Sequence, residues 1–217
     1  MQSNVLSPMI SRIFFIIFTL IIGISHGIDL NGILVTSARE GDINRAIIAL
    51  NNGSDIESRS RDGGWTALHE ACFSGEINLV RVLIERGANL EARNLHFDTP
   101  LHIAAFHGRR AIVEILLEIG ALVDPTNQDG STPLIGAAFA GRTEVCNILL
   151  RAGAKVDARN NVGTTPLEAA IFSKYKGTAD YLREYIAISC APSSRSSGNL
   201  FALTIIVSMC FYATVRQ

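Results

Sequence analysis

Four segments of this chain repeat one another at a fixed interval: "WTALHEACFSG" from Trp65, "DTPLHIAAFHG" from Asp98, "STPLIGAAFAG" from Ser131 and "TTPLEAAIFSK" from Thr164. Their threonines Thr66, Thr99, Thr132 and Thr165 stand 33 residues apart. A period of that length means one supersecondary unit per copy. Within residues 99 to 131, Thr99 is placed to cap a helix, and Pro100 takes the first helical position, where a missing N–H costs nothing. Leu101, Ala104 and Ala105 then form one apolar stripe, and Gly108 ends the short helix. Ile112, Val113, Leu116 and Leu117 share a face of a second helix, which Gly120-Ala121 stops. The turn formers of "LVDPTNQDG" carry the chain on to Thr132. Alone, such a unit leaves its apolar face in water. Burying one Leu or Ile yields roughly 1.5–3 kcal/mol, so the copies are expected to stack in a line.

The period, the T-P-L-H-x-A core, the Leu pairs Leu116-Leu117 and Leu149-Leu150, and the Gly-Ala pairs at 87–88, 120–121 and 153–154 resemble ankyrin repeats. The resemblance implies an all-α solenoid of about five helix-turn-helix-hairpin repeats, at about 32–64, 65–97, 98–130, 131–163 and 164–188. The first copy lacks Thr-Pro and reads as an N-terminal cap. The last carries "SKYKGTADYLREY" in place of the Gly turn and Leu pair and reads as a C-terminal cap. Thr66, His69, Thr99, Pro100, His102, Thr132, Pro133, Thr165 and Pro166 are the structural motif positions. The resemblance gives His69 and His102 a hydrogen-bonding role at the helix start. A shared metal site is the competing reading, and Ile135 and Glu168 at the same position in later copies argue against it.

No nucleophile elbow, Walker loop, C-x-x-C or H-E-x-x-H is present, so neither catalysis nor a cofactor is expected. A net charge of −1, from 19 basic and 20 acidic residues, gives no reason to expect nucleic acid. Cys72 and Cys146 fall on small apolar positions of different repeats and are expected to be buried and unpaired.

Positions that carry binding are sought among the exposed ones. Phe73, Phe106, Phe139 and Phe172 each follow the repeat threonine by seven, at the end of the first helix. The resemblance places that position near a concave binding face. Two readings stand: an aromatic ladder that contacts a partner, or rings that pack on their neighbours. In the third copy the turn reads Asn94-Leu95-His96-Phe97, with Phe where the family has Gly. Together with Trp65, these give a proposed contact patch of Trp65, Leu95, His96, Phe97 and the four ladder residues, centred on repeats two and three.

The ends differ from the body. Arg12, the apolar run 13–24 and the small-x-small triplet Ser25-His26-Gly27 resemble a secretory signal, cleaved after Gly27. Twelve helical residues reach about 18 Å, short of the ~30 Å hydrocarbon layer; an uncleaved anchor or a buried helix are the alternatives. A small and polar linker, 189–199, precedes an apolar tail, 200–215. That order resembles a GPI-attachment signal with Ser189 as the lipid acceptor; a spanning helix is the alternative. Asn52-Gly53-Ser54 is an N-glycosylation sequon. The expectation is a monomeric scaffold in the secretory pathway, held on a membrane by its C-terminus and binding an unidentified protein. A cytosol-facing adaptor on an internal membrane, or an inhibitory or regulatory subunit, are the alternatives.

Overall fold

A computed structural model describes residues 29–189. The apolar N-terminal run, its expected cleavage site and the tail beyond Ser189 lie outside the described residues. One compact unit extends to Glu184; a second begins at Tyr185, of which residues 185–189 continue a helix.

Among the described residues there are ten helices and no strand. They form five pairs: α1 (Leu30–Glu40) with α2 (Ile43–Asn51), α3 (Ala67–Ser74) with α4 (Ile77–Glu85), and α5 (Pro100–Phe106) with α6 (Arg110–Glu118). Then come α7 (Pro133–Phe139) with α8 (Thr143–Arg151), and α9 (Pro166–Phe172) with α10 (Lys176–Ser189). Ser189, expected to open the linker, is the last residue of α10. The odd-numbered helices pack in sequence against one another, α1 on α3, α3 on α5, α5 on α7 and α7 on α9; α4, α6 and α8 form a second row outside them.

The core is what the periodicity selects. Leu34, Leu68, Leu101 and Leu134 of the inner row are buried, as are Leu79, Leu83, Ile112, Leu116 and Leu149 of the outer row. Ala71, Ala104, Ala105, Ala137 and Ala138 are fully buried, and their small side chains let successive inner helices approach. Pro100, Pro133 and Pro166 occupy first-turn positions of α5, α7 and α9, and none interrupts a helix.

The turn between paired helices shows why glycine recurs there. Gly141 has φ +71°, and a Cβ on it would lie 2.4 Å from the Tyr175 ring of the next repeat. In the last copy Lys174 holds the same place at φ 64°. The chain accepts the left-handed strain there, a cost on the order of 1–2 kcal/mol. The same substitution occurs at a hairpin: Phe97, with φ 60°, stands where Gly130 and Gly163 have φ 72° and 82°.

Candidate protein-binding face

Three of the five inner helices begin with the same polar device. His69 Nδ1 accepts from Thr66 N–H at 3.3 Å and lies 2.9 Å from Thr66 Oγ1; His102 repeats this with Thr99 at 3.1 and 3.0 Å. Their Nε2 atoms donate to the Asp98 and Ser131 carbonyls of the next hairpin, each at 3.0 Å. An imidazole that accepts at Nδ1 and donates at Nε2 is neutral. Burial pushes the pKa of His69 down to about 4 and lowers that of His102 as well. In the last copy the Glu168 carboxylate does the same capping work, accepting from Thr165 N–H at 2.8 Å and Oγ1 at 2.9 Å. His and Glu alternate at this position because both accept from the threonine N–H. Ile135 cannot, and there only Thr132 Oγ1 accepts, from Ile135 N–H at 3.4 Å. Among the described residues no cluster of three or more His, Cys, Asp or Glu is placed to hold a metal.

The hairpins are tied together by main chain. Leu95 N–H donates to Gly63 O, Gln128 to His96 O and Asn161 to Asp129 O, at 3.0, 2.9 and 2.9 Å. Within each turn one Asn organises two amides: Asn94 Oδ1 accepts from His96 and Asp98 N–H, Asn127 from Asp129 and Ser131, and Asn160 from Val162 and Thr164. These asparagines were not singled out from the sequence. Their signal was the recurrence of Asn at intervals of 33, masked by the variable residues around it.

Along the end of the inner row the aromatic side chains do both things the sequence left open. Trp65 meets Phe73 edge-on at 5.8 Å, and Phe106 and Phe139 lie within 21° of parallel with centroids 6.5 Å apart. Yet Phe73, Phe106 and Phe139 keep 41–45% of their surface in solvent, and Phe172 79%. Between Phe73 and Phe106 sits His107, 4.7 Å from one ring and 5.3 Å from the other. His107 follows His102 by five residues, a spacing that shares no helix face. Its partner is a ring one repeat away, which spacing within one helix cannot show. Burial lowers its pKa, with Arg109 and Arg142 acting in the same direction. Those two arginines hold the row from behind: Arg109 Nη2 donates to Phe73 O at 2.8 Å and Arg142 Nε to Phe106 O at 3.2 Å.

The residue four after each repeat threonine forms the floor beside this row. In the second repeat it is Glu70, only 2% exposed, and both its oxygens accept from Arg39 of α1, at 2.7 Å from Nη2 and 3.1 Å from Nε. Asp62 adds a third carboxylate oxygen at 3.3 Å. Together with Gly63, Trp65 and Phe73 these three residues line a bay of about 420 Å³. In the fourth repeat the corresponding residue is Gly136. Here lies a larger groove, about 920 Å³, whose floor includes Phe106, Ile135, Gly136 and Phe139 and whose rim includes Asp129 and Glu168. The expected patch is centred on repeats two and three; this groove runs over repeats three to five. Its lining includes Gly136 and residues of the hairpin turns at 127–130 and 160–163. Of the expected hairpin residues, Leu95, His96 and Phe97 are all exposed on one turn, and Phe97 lies under the Arg93 guanidinium at 5.9 Å.

Asn52 caps the end of α2 and is exposed; its Nδ2 donates to Ile48 O at 2.7 Å. Cys72 and Cys146 are buried free thiols, and burial raises both pKa values, that of Cys146 to about 12. No helix among the described residues is long and apolar enough to cross a membrane.

The ankyrin-repeat family matches in three overlapping copies, over residues 17–94, 34–127 and 101–191, and the chain belongs to that family. Its repeats make it a protein–protein interaction module, on a fold that in general serves binding rather than catalysis. A stretch of 67 residues is 33% identical to the 2-5A-dependent ribonuclease of Mus musculus, covering 31% of this chain and 9% of that protein.

Proposed function

We propose that the chain is a monomeric, membrane-tethered scaffold that binds a protein partner through the aromatic row and the hairpin tips. The observation that carries this is the row itself: three rings fixed by neighbours and carbonyl-bound arginines, each leaving two-fifths or more of its surface to solvent. Rigid, half-exposed aromatics suit binding, because little side-chain freedom is lost when a partner covers them. Affinity capture with the full chain in nonionic detergent tests it. A Phe106→Ala/Phe139→Ala variant should retain at most a tenth of the partner, while Ile119→Ala on the outer row retains it all. Equal recovery on the double variant would place binding elsewhere.

The tether and compartment rest on the two apolar ends: a signal cleaved after Gly27, and a tail beyond Ser189 that serves as a GPI signal or an anchor. On this reading Asn52 is open to glycosylation, and endoglycosidase treatment would shift the mass of the mature protein. A second reading, a repeat domain facing the cytosol, is favoured by the free thiols of Cys72 and Cys146. Protease protection in sealed microsomes separates them: a luminal domain survives, a cytosolic one is digested.

A further inference from the structure

Gly136 has no structural reason to be glycine. It lies inside α7, outside the left-handed region, and a Cβ on it would meet only Phe106 Cδ2, at an ordinary 3.9 Å. Glycine weakens a helix interior, so neither the backbone nor packing accounts for it. What its missing side chain does is deepen the groove between Phe106 and Phe139. The charged residues lining that groove are Asp129 and Glu168; no Lys or Arg lines it. Among the described residues the Asp129 carboxylate makes no ion pair; Glu168 uses Oε2 for its cap, and Arg159, which donates to Gly163 O at 2.8 Å, places its charge near that carboxylate.

At the matching position of repeat two, the Arg39 guanidinium pairs with Glu70 and Asp62, so the carboxylates on that side of the row already have a cation, and Trp65 and Phe73 stand beside them. Aromatic rings beside carboxylates favour a planar cation that stacks on the rings and donates sideways to oxygen. We infer that the bay at Gly136 takes an arginine side chain of the partner protein, its guanidinium over Phe106 and Phe139 and its N–H groups toward Asp129 and Glu168. A lysine fits less well: its ammonium is a compact, strongly hydrated point charge that cannot stack. A nucleobase would stack equally well, but the phosphates it brings meet two carboxylates in the lining, and the guanidinium at the edge, Arg159, is already engaged by the Gly163 carbonyl. This deepens the reading of the face as a protein-binding surface and rests on it.

The test is a random dodecapeptide phage library panned on the full chain in nonionic detergent. The selected peptides are then synthesised and titrated by fluorescence anisotropy. The expected result is enrichment of one Arg position. Replacing that Arg by citrulline should weaken binding at least tenfold, and replacing it by Lys about threefold or more. Gly136→Leu, which fills the bay, should weaken binding at least tenfold while the melting temperature stays unchanged or rises. Asp129→Asn/Glu168→Gln removes both charges while an amide oxygen at 168 can still accept from Thr165 N–H, and serves as a second arm, with a loss of at least threefold. Peptides without Arg, or Arg peptides that bind Gly136→Leu with wild-type affinity, overturn the inference. If such peptides still depend on Phe106 and Phe139, the arginine bay fails and the binding face stands. If no selected peptide depends on those rings, the face fails with it.

Discussion

Two positions of this chain share a place in the repeat and differ in every other respect. Glu70 and Gly136 each stand four residues after a repeat threonine, on the floor beside the aromatic row. One is a buried carboxylate held by a cation from the first repeat; the other is no side chain at all. The repeat scaffold fixes where the position points, and the residue decides whether the space is used for cohesion or left to a ligand. At repeat two the floor carboxylate is neutralised by Arg39 of the first repeat, which joins the capping repeat to the next. At repeat four it leaves the groove open, at a cost in helix stability.

The largest effect should come from breaking the Arg39–Glu70 pair. Arg39→Ala strands the buried Glu70 carboxylate; a fully buried pair loses roughly 3–5 kcal/mol, and because Arg39 is half exposed the loss here is at the low end, about 3 kcal/mol. Urea unfolding should show it, whereas Arg110→Ala, which breaks an exposed pair with Glu114, should change stability by less than about 1 kcal/mol. Equal losses in the two variants would mean that Arg39 is not a structural residue.

Acid should come next. His69 is neutral when folded, with a pKa near 4, and ordinary when unfolded, near 6.5. The unfolded chain therefore binds the proton first. Its contribution, on the order of 3 kcal/mol, is complete above pH 6.5 and is lost as pH falls toward 4. His102 acts in the same sense. His69→Gln/His102→Gln should flatten stability across that window, as the pH dependence of the melting temperature would show.

At the unfilled bay the sign reverses. Gly136→Ala should stabilise the chain by about 0.5–1 kcal/mol, because its Cβ meets nothing closer than 3.9 Å. The smallest effect is expected at the third hairpin. Phe97→Gly relieves left-handed strain but loses the contact with Arg93 and frees the unfolded chain, a net gain of about 0.5 kcal/mol or less by thermal melting.

The repeat frame was legible because it is local. Thr-Pro, the leucine stripes and the glycine stops act within about ten residues, and a 33-residue period reports them several times. The pairing of rings across repeats was not, since Phe73 with His107, and Arg39 with Glu70, join residues 34 and 31 apart from different helices. A sequence shows what each copy shares; these contacts depend on where copies differ. Gly136 was passed over for the same reason. A glycine in an alanine-rich stretch looks like one more small residue until its neighbours show that it fills no steric need. The place of Phe97 was legible as a departure from Gly, and its positive φ gives the physical meaning of that departure.

The central claim is that the exposed aromatic row of the inner helices is where a partner sits. Photocrosslinking addresses it directly, with p-benzoylphenylalanine placed at Phe139 in the full chain and, separately, at the exposed outer-row position Ile119. The account predicts a discrete protein adduct from position 139 and none from 119. An adduct from 119 alone, or the same adduct from both positions, would contradict it.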